Sequence, residues 1–164
     1  MRFTKTTLII GVAAVALLFL IGNSNLSKRI TANQTAQYKE VIRVPGSKPL
    51  GLPFSPAIKV GNMMFLSGAM GTDPKTGELV SPDIEEQTRQ TMENLRAVLR
   101  QGGMDFSDVV RATVYLADIN DYAKMNRVYA SYFSKDPPAR ACVQVAKLVK
   151  GSKTEISMIA IKAK

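Results

Sequence analysis

One short segment holds the residue types that could carry chemistry. It reads Pro137-Pro138-Ala139-Arg140-Ala141-Cys142-Val143-Gln144-Val145, so an arginine enters an otherwise apolar strand directly behind a rigid double proline. Period-two alternation places the side chains of Arg140, Cys142 and Gln144 on one face of that strand. A guanidinium held at such a position is a fixed fork that matches a carboxylate. That carboxylate could belong to a small ligand or to a structural salt bridge, and both interpretations stay open.

The composition excludes most other catalytic chemistry. The chain has 164 residues, with no His and one Cys. Without His there is no Ser-His-Asp or Cys-His catalysis and no imidazole metal site. We therefore expect Cys142 to be a small hydrophobic residue rather than a nucleophile. No phosphate-binding or dinucleotide-binding motif is present, and neither a metal nor a cofactor is expected.

Hydrophobic patterning predicts the elements that must position Arg140. Alternating or short apolar runs predict strands at 38–44, 57–60, 63–66, 110–116, 141–146 and 155–163. A first helix is predicted to have Ser81 as its N-cap and Pro82 as its first residue, and to stop at Gly102-Gly103. A second helix is predicted from about 120 to 133, with an apolar stripe of Tyr122, Met125, Val128, Tyr129 and Tyr132.

The order of these elements indicates the fold class. The pattern β-β-β-α-β-α-β-β predicts an α+β fold in which a mixed sheet carries two helices on one face. The other face of the sheet then needs a cover, and a second copy of the chain is the natural source. We therefore expect an oligomer.

The N-terminal segment is predicted to be a targeting segment rather than part of the folded domain. Arg2 and Lys5 precede an uninterrupted apolar run over residues 8–21, as in a signal peptide or a short anchor. The expected location is exported and periplasmic, with the protein either released or anchored in the inner membrane. The boundaries that follow are 1–22 for a signal peptide or N-terminal membrane anchor, 23–37 for a polar linker and 38–164 for the domain.

The charge of the chain argues little for a nucleic-acid partner. The net charge is +9, and residues 1–40, with five bases and one acid, carry +4 of it. The remainder is moderately basic, contains no Trp and does not interleave aromatic residues with basic runs. We expect no nucleic acid as a partner, and membrane contact only through residues 6–22.

Several segments resemble the Rid family of reactive intermediate (enamine/imine) deaminases, also called 2-iminobutanoate/2-iminopropanoate deaminases. The resemblance spans about residues 38–164 in unbroken order. It rests on Leu52-Pro-Phe-Ser-Pro-Ala57, Val60-Gly-Asn62, Ser67-Gly68, Asp73-Pro-Lys-Thr-Gly-Glu78, Gln87-Thr-Arg-Gln-x-x-x-Asn94-Leu, Asp108-Val-Val-Arg-Ala-Thr-Val114, Asn126-x-x-Tyr129-x-x-Tyr-Phe133, Pro138-Ala-Arg140-x-Cys142-Val and Glu155-Ile.

The resemblance implies a fold, an assembly and a reaction. Rid proteins have a chorismate-mutase-like α+β fold, form barrel-like homotrimers and bind small imino or keto acids in clefts between subunits. They hydrolyse 2-imino acids to 2-keto acids and ammonia. Carried over by motif, Arg140 would bind the substrate carboxylate, while the backbone at Cys142 and the carboxylate of Glu155 would hold the attacking water. Ser67 and Gly68 would line the pocket, and Asn126 would support it.

One residue departs from the family pattern. Where the best-known deaminases carry Tyr in a Gly-Pro-Tyr loop, this chain has Phe54 in Leu-Pro-Phe, so a hydroxyl is lost from the pocket wall. The expected function is a metal-free imine deaminase. Two alternatives stay open: a non-enzymatic module that binds or senses a small ligand in the same cleft, and an RNA-binding or ribonuclease-like protein.

Overall fold

The structure, a computed structural model, describes residues 38–47 and 51–163. From Lys39 onward these residues belong to one compact unit. The α+β order predicted from the sequence is confirmed. The elements are β1 (Lys39–Ile42), β2 (Ala57–Val60), β3 (Met63–Met70), α1 (Ile84–Gln101), β4 (Val109–Leu116), α2 (Tyr122–Ala130), β5 (Ala139–Gln144) and β6 (Thr154–Ile161).

The six strands form one mixed sheet in the order β1-β2-β3-β6-β4-β5. All neighbouring pairs are antiparallel except β4 and β5, which run parallel. A parallel pair requires a crossover, and α2 supplies it. Within the described part of the chain, β5 is an edge strand that pairs with β4 alone. The segment that carries Arg140 therefore lies at a free edge of the sheet.

Both helices cover the same face of the sheet, as predicted, and the hydrophobic core lies between. Alternation puts every second residue of β3, β4 and β6 on this face. The opposite face stays open: Phe65 is 44% exposed and Val143 is 46% exposed. The core residues of the sheet and the helices include Met64, Leu66, Ala112, Val114, Leu116, Ile156, Met158, Ala160, Ile84, Met92, Leu95, Leu99 and Met125.

Helix α1 begins at Ile84, two residues after its predicted first residue, Pro82. The predicted N-cap, Ser81, is wrong, and the N-cap is Asp83. Its carboxylate accepts the N–H groups of Glu85 and Glu86 at 2.8 and 3.0 Å, which holds the pKa of Asp83 below its usual range. The Ser81 hydroxyl instead accepts the N–H of Asp83 at 3.0 Å. A carboxylate that binds two orphan N–H groups is the stronger cap.

Helix α2 is shorter than predicted. A 3₁₀ turn over Ile119–Asp121 precedes it, and the regular helix ends at Ala130. Met125, Val128 and Tyr129 are buried as expected, but Tyr122 is 42% exposed. The first turn of α2 therefore presents an aromatic ring to solvent rather than to the core.

A buried glutamine ties α1 to the start of β6. The Oε1 atom of Gln87 accepts the hydroxyl of Ser152 at 3.1 Å and the N–H of Lys153 at 2.8 Å. Its Nε2 atom donates to the carbonyl of Ser81 at 2.7 Å. Because burial makes an unpaired amide costly, these three hydrogen bonds fix the helix against the strand.

The described residues include no helix that is long and apolar enough to cross a membrane. The predicted signal peptide or anchor over 1–22 and the predicted linker over 23–37 both lie outside the described residues.

The close contact between Gly71 and α1 gives a prediction about stability. A Cβ atom on Gly71 would lie 2.6 Å from both the Cα and the carbonyl oxygen of Gln87, which are backbone atoms that cannot move alone. We expect Gly71→Ala to lower the free energy of unfolding by about 1–3 kcal/mol, as other overpacked sites do. Urea denaturation measures this. The control is Gly68→Ala, whose Cβ would meet only the end of the Glu155 side chain. Equal stability of the two variants would contradict the packing argument.

Candidate active site

Arg140 reaches from β5 onto one face of α2. Its Nη2 atom donates to Oδ1 of Asn126 at 2.6 Å and lies 3.5 Å from the Tyr122 hydroxyl. The guanidinium carbon lies 4.5 Å from the ring centroid of Tyr129 and 5.8 Å from that of Tyr122. These three partners are spaced i, i+4 and i+7, so they line one side of the helix. Arg140 and Asn126, both predicted site residues, are therefore in direct contact.

All these contacts are with neutral groups. None of the ion pairs among the described residues includes Arg140. A half-buried guanidinium has five N–H donors, and only one hydrogen-bonds here at short range. The interpretation of Arg140 as one half of a structural salt bridge is thus wrong within the described part of the chain. The side chain keeps its charge and most of its donors for an external acceptor.

Cys142 lies two residues further along β5, on the same side as Arg140. Burial raises the pKa of its thiol, and the nearby Arg140 charge offsets this only in part. A raised pKa means that the thiol stays protonated, as expected for a residue that is not a nucleophile. The backbone N–H of Cys142 is a second group to consider, and its direction follows from the hydrogen bonds between β4 and β5. The Val145 N–H donates to the Leu116 carbonyl of β4 at 2.9 Å. Because successive residues of a strand point their N–H groups to opposite edges, and Cys142 lies three residues before Val145, the Cys142 N–H points out to the free edge.

Ser67, Gly68 and Glu155 form a second group where β3 meets β6. The Ser67 hydroxyl donates to the carbonyl of Ser55 at 2.7 Å, and its N–H donates to the carbonyl of Pro56 at 3.0 Å. The Glu155 carboxylate lies directly over Gly68, where a Cβ atom would be 1.9 Å from its Oε1 atom. Gly68 is therefore required for the carboxylate to lie where it does.

Among the described residues, the Glu155 carboxylate has no ionic or hydrogen-bonding partner. It is half-buried, and among the described residues no hydrogen bond or ion pair reaches its oxygens. Desolvation alone raises the pKa of Glu155 above its ordinary value. An unpaired, partly buried carboxylate is costly to a lone chain, so it is a candidate for a functional group.

Phe54 lies on the loop that leads into β2. It is 53% exposed, and the next residue, Ser55, accepts the hydrogen bond from Ser67. The loop is thereby tied to the Ser67 group rather than to the Arg140 group. The aromatic ring is presented to solvent beside this second group.

The two groups lie on opposite faces of the sheet. In the ladder, Arg140 pairs with Ala112 of β4, which is on the helix-covered face. Glu155 pairs with Tyr115 of β4 and with Met70 of β3, which are on the open face. Residues 112 and 115 differ by an odd number, so their side chains must point to opposite sides. Arg140 and Glu155 of one protomer therefore face away from each other.

Sequence reasoning missed two residues of the Arg140 group. Tyr122 and Tyr129 were assigned to an apolar stripe, whereas both lie against the guanidinium. The signal that could have found them is their i, i+4, i+7 spacing with Asn126, combined with a strand arginine that needs a partner. The described residues contain no group of three or more His, Cys, Asp or Glu that could hold a metal ion.

The fold and this site define a small α+β protein with an unpaired arginine at the sheet edge and an unpaired carboxylate on the open face. The family model described as Endoribonuclease L-PSP matches residues 47–162. The chain belongs to this family, which is the Rid family that its motifs resemble.

Individual relatives agree with this assignment. A RutC family protein of Pyrococcus horikoshii is 51% identical over 125 residues, which cover 76% of this chain and 98% of that protein. The 2-iminobutanoate/2-iminopropanoate deaminase of Homo sapiens is 45% identical over 109 residues, 66% of this chain and 80% of that protein. The crystal structure of TdcF from E. coli with bound serine has a TM-score of 0.71 and 34% identity, and the match covers 76% of this chain and 99% of that one.

A further relative corrects the predicted location. Reactive Intermediate Deaminase A of Arabidopsis thaliana is 37% identical over 166 residues, which cover 98% of this chain and 89% of that protein, and it is named as chloroplastic. The match extends over the N-terminal segment, yet that relative is not named as an exported protein. The prediction of a signal peptide, a membrane anchor and a periplasmic location is therefore wrong. Organelle-targeting segments are likewise rich in bases and poor in acids, so the basic start of the chain does not by itself specify export.

The contact between Gly68 and Glu155 gives a prediction about the carboxylate. In Gly68→Ala, the new Cβ atom displaces a flexible carboxylate rather than backbone, so the side chain moves outward and the fold is kept. Because burial is what raises the pKa of Glu155, we expect that pKa to fall toward its ordinary value. NMR titration of the side-chain carboxyl carbon measures it. An unchanged titration midpoint would show that the carboxylate does not lie over Gly68.

Proposed function

We propose that this protein hydrolyses 2-imino acids to 2-keto acids and ammonia. The observation that carries the proposal is the Arg140 guanidinium, which neutral groups of α2 hold in place and which pairs with no carboxylate among the described residues. Two relatives support such a site. The human relative is named for 2-iminobutanoate and 2-iminopropanoate, and the TdcF structure holds serine; each of these small molecules has a carboxylate. The proposed mechanism uses no metal or cofactor.

Arg140 would bind the substrate carboxylate through the N–H groups that Asn126 leaves free. Two parallel N–H···O bonds fix the plane of the substrate as well as its position. The imine carbon then lies at a set distance from the arginine. An imine is already electrophilic, so orientation toward one water molecule supplies much of the catalysis.

Glu155 and the outward-pointing backbone of Cys142 would hold that water. The Glu155 carboxylate accepts a proton while the water oxygen bonds to the imine carbon, and the C=N electron pair goes to nitrogen. Glu155 returns that proton to the nitrogen of the tetrahedral intermediate, and the hydroxyl proton then passes to the nitrogen by way of the same carboxylate. The C–N bond breaks to release ammonia as the C=O bond of the keto acid forms. The raised pKa of Glu155 brings it nearer to the operating pH, which favours a group that first accepts and then returns a proton.

The two halves of this site must come from different copies of the chain. Arg140 and Glu155 of one protomer point to opposite faces of the sheet, so one ligand cannot touch both. The open face also exposes Phe65 and Val143, which another copy would cover. We therefore propose a homotrimer with sites between neighbouring subunits, where Arg140 of one subunit meets Ser67, Gly68 and Glu155 of the next.

Arg140→Lys tests the role of the guanidinium. The variant keeps the charge but loses the fork, so we expect kcat/KM to fall about 10- to 100-fold, because a charge-assisted hydrogen bond contributes about 1.5–3 kcal/mol. The measurement generates 2-iminopropanoate or 2-iminobutanoate enzymatically and follows its decay by semicarbazide trapping. Arg89→Lys, the same change at an exposed position of α1, is the matched control and should behave as wild type.

The same assay separates the alternatives. If the wild-type protein binds the keto acids by calorimetry but does not speed imine decay, it is a ligand-binding module and the proposed reaction is refuted. RNA binding that weakens steeply with salt and is unaffected by Arg140→Lys would instead favour the nucleic-acid alternative.

Mixed oligomers test whether the site is shared between subunits. Arg140→Ala and Glu155→Gln should each abolish most activity, but in a hybrid one site can combine an intact Arg140 with an intact Glu155. For random mixing of equal amounts around a closed ring, about one quarter of the sites have both groups intact, so we expect about a quarter of wild-type activity. Co-expression with two affinity tags supplies the hybrids. If both groups acted within one protomer, the hybrids would be as inactive as the parents.

A further inference from the structure

The partly buried charge of Arg140 needs a physical explanation in the free protein. Among the described residues it has no acidic partner, and its Nη2 atom donates only to neutral oxygens, to Oδ1 of Asn126 at 2.6 Å and at the longer distance of 3.5 Å to the Tyr122 hydroxyl. Of the two rings beside the guanidinium, that of Tyr129 is the nearer, with its centroid 4.5 Å from the guanidinium carbon against 5.8 Å for Tyr122. At this distance the negative face of the ring attracts a cation.

We propose that Tyr129 is a positioning residue that holds the Arg140 guanidinium through its ring face and leaves the full positive charge available to a carboxylate ligand. The inference deepens the proposed function and rests on it, because it assigns the second support of the proposed carboxylate site. Tyr129 does not touch the ligand in this scheme; it acts through Arg140.

The hydroxyl of Tyr129 does not account for a tyrosine at this position. The side chain is 5% exposed, and its hydroxyl oxygen is buried without a hydrogen-bond partner among the described residues. Burial also raises the pKa of Tyr129 to about 12, so the phenol neither gains nor loses a proton near neutral pH. The contribution of the residue is therefore its ring.

The ring is itself rigidly supported. Tyr129 packs against Phe133 with ring centroids 4.9 Å apart, and Phe133 packs against Phe106 at 5.4 Å. Both Tyr129 and Phe106 belong to the buried core. A platform fixed in this way holds the guanidinium with little loss of side-chain freedom on ligand binding, which favours affinity.

A second arginine of the same protein provides an internal comparison. Arg96 also lies over aromatic rings, 4.9 Å from that of Tyr132 and 5.4 Å from that of Phe106. Its charge, however, is neutralised by the Glu93 carboxylate at 2.9 and 3.0 Å. At Arg140 the same stacking occurs with the amide of Asn126 in place of a carboxylate. One arginine is thus paired internally, and the other is held but left unpaired.

Two substitutions of Tyr129 separate the ring from the hydroxyl. Tyr129→Phe keeps the ring and removes an unpaired hydroxyl, so ligand affinity should stay within about twofold of wild type. Tyr129→Leu removes the ring, so the KM for the imino acid and the Kd for 2-oxobutanoate should both rise about 2- to 30-fold. The kcat of Tyr129→Leu should change little, because the carboxylate contact is made equally in the ground state and the transition state. Semicarbazide trapping gives kcat and KM, and calorimetry with 2-oxobutanoate gives Kd.

Two controls distinguish positioning from damage to the fold. Tyr132→Leu removes the ring under Arg96 and should cost stability without changing either KM or Kd. In an Arg140→Ala background, Tyr129→Leu should have no further effect on Kd, because the group it supports is gone. A general loss of structure would instead lower kcat through a smaller active fraction and leave KM unchanged.

The outcomes separate this inference from the proposed reaction. If wild type binds 2-oxobutanoate without catalysing deamination, the reaction is refuted, and the Kd of Tyr129→Leu still decides the inference. If wild type is active but Tyr129→Leu matches it in KM and Kd, the inference alone is overturned. Affinity lost equally in Tyr129→Phe and Tyr129→Leu would assign the effect to the hydroxyl and also overturn it. A wild-type protein that neither binds a keto acid nor speeds imine decay would overturn both.

Discussion

Period-two alternation across β4, β5 and β6 is the constraint on which the rest of this structure depends. It places Val114 and Ile156 under the helices, and with them Arg140 at the β5 edge. It must then place Glu155 on the other side. The same geometry therefore builds the core, presents the arginine to α2 and leaves the carboxylate on an open face. A site that uses both groups is possible only where two copies of this sheet meet.

The surroundings of each charged group follow from the element that faces it. Helix α2 offers Arg140 only neutral side chains on the side that faces β5, whereas α1 offers Arg96 the carboxylate of Glu93. Glu155 faces the Gly68 backbone, which gives it neither charge nor donor side chain. Helix-to-strand packing thus decides which charges are neutralised inside the protein and which stay available for a ligand.

Much of this arrangement could be predicted from the sequence, because it rests on local periodicity. The order of all eight elements, the covered face of the sheet and the stop at Gly102 follow from apolar spacing and from turn residues. The start of α1 could not be predicted in this way, because Ser81 and Asp83 are both good caps and only the folded chain shows which side chain reaches the free N–H groups. The opposite orientation of Arg140 and Glu155 depends on strand register, which is a long-range property. For the same reason the contact between Tyr129 and Arg140 could not be predicted: helical spacing alone places Tyr129 among the apolar residues of α2.

The lack of ionic partners for Arg140 and Glu155 among the described residues needs a physical reason. A half-buried guanidinium and a half-buried carboxylate each raise the free energy of a lone chain, and an internal partner for either would offset part of that cost. Asn126 could be replaced by an acid of the same shape, which would give Arg140 such a partner. Stability alone would favour that replacement, but the resulting ion pair would compete with every carboxylate ligand. The buried hydroxyls of Tyr129 and Thr154 also lack a hydrogen-bond partner among the described residues, but they carry no charge. Arg140 and Glu155 are half-buried charges without an ionic partner there, and both belong to the site that we propose.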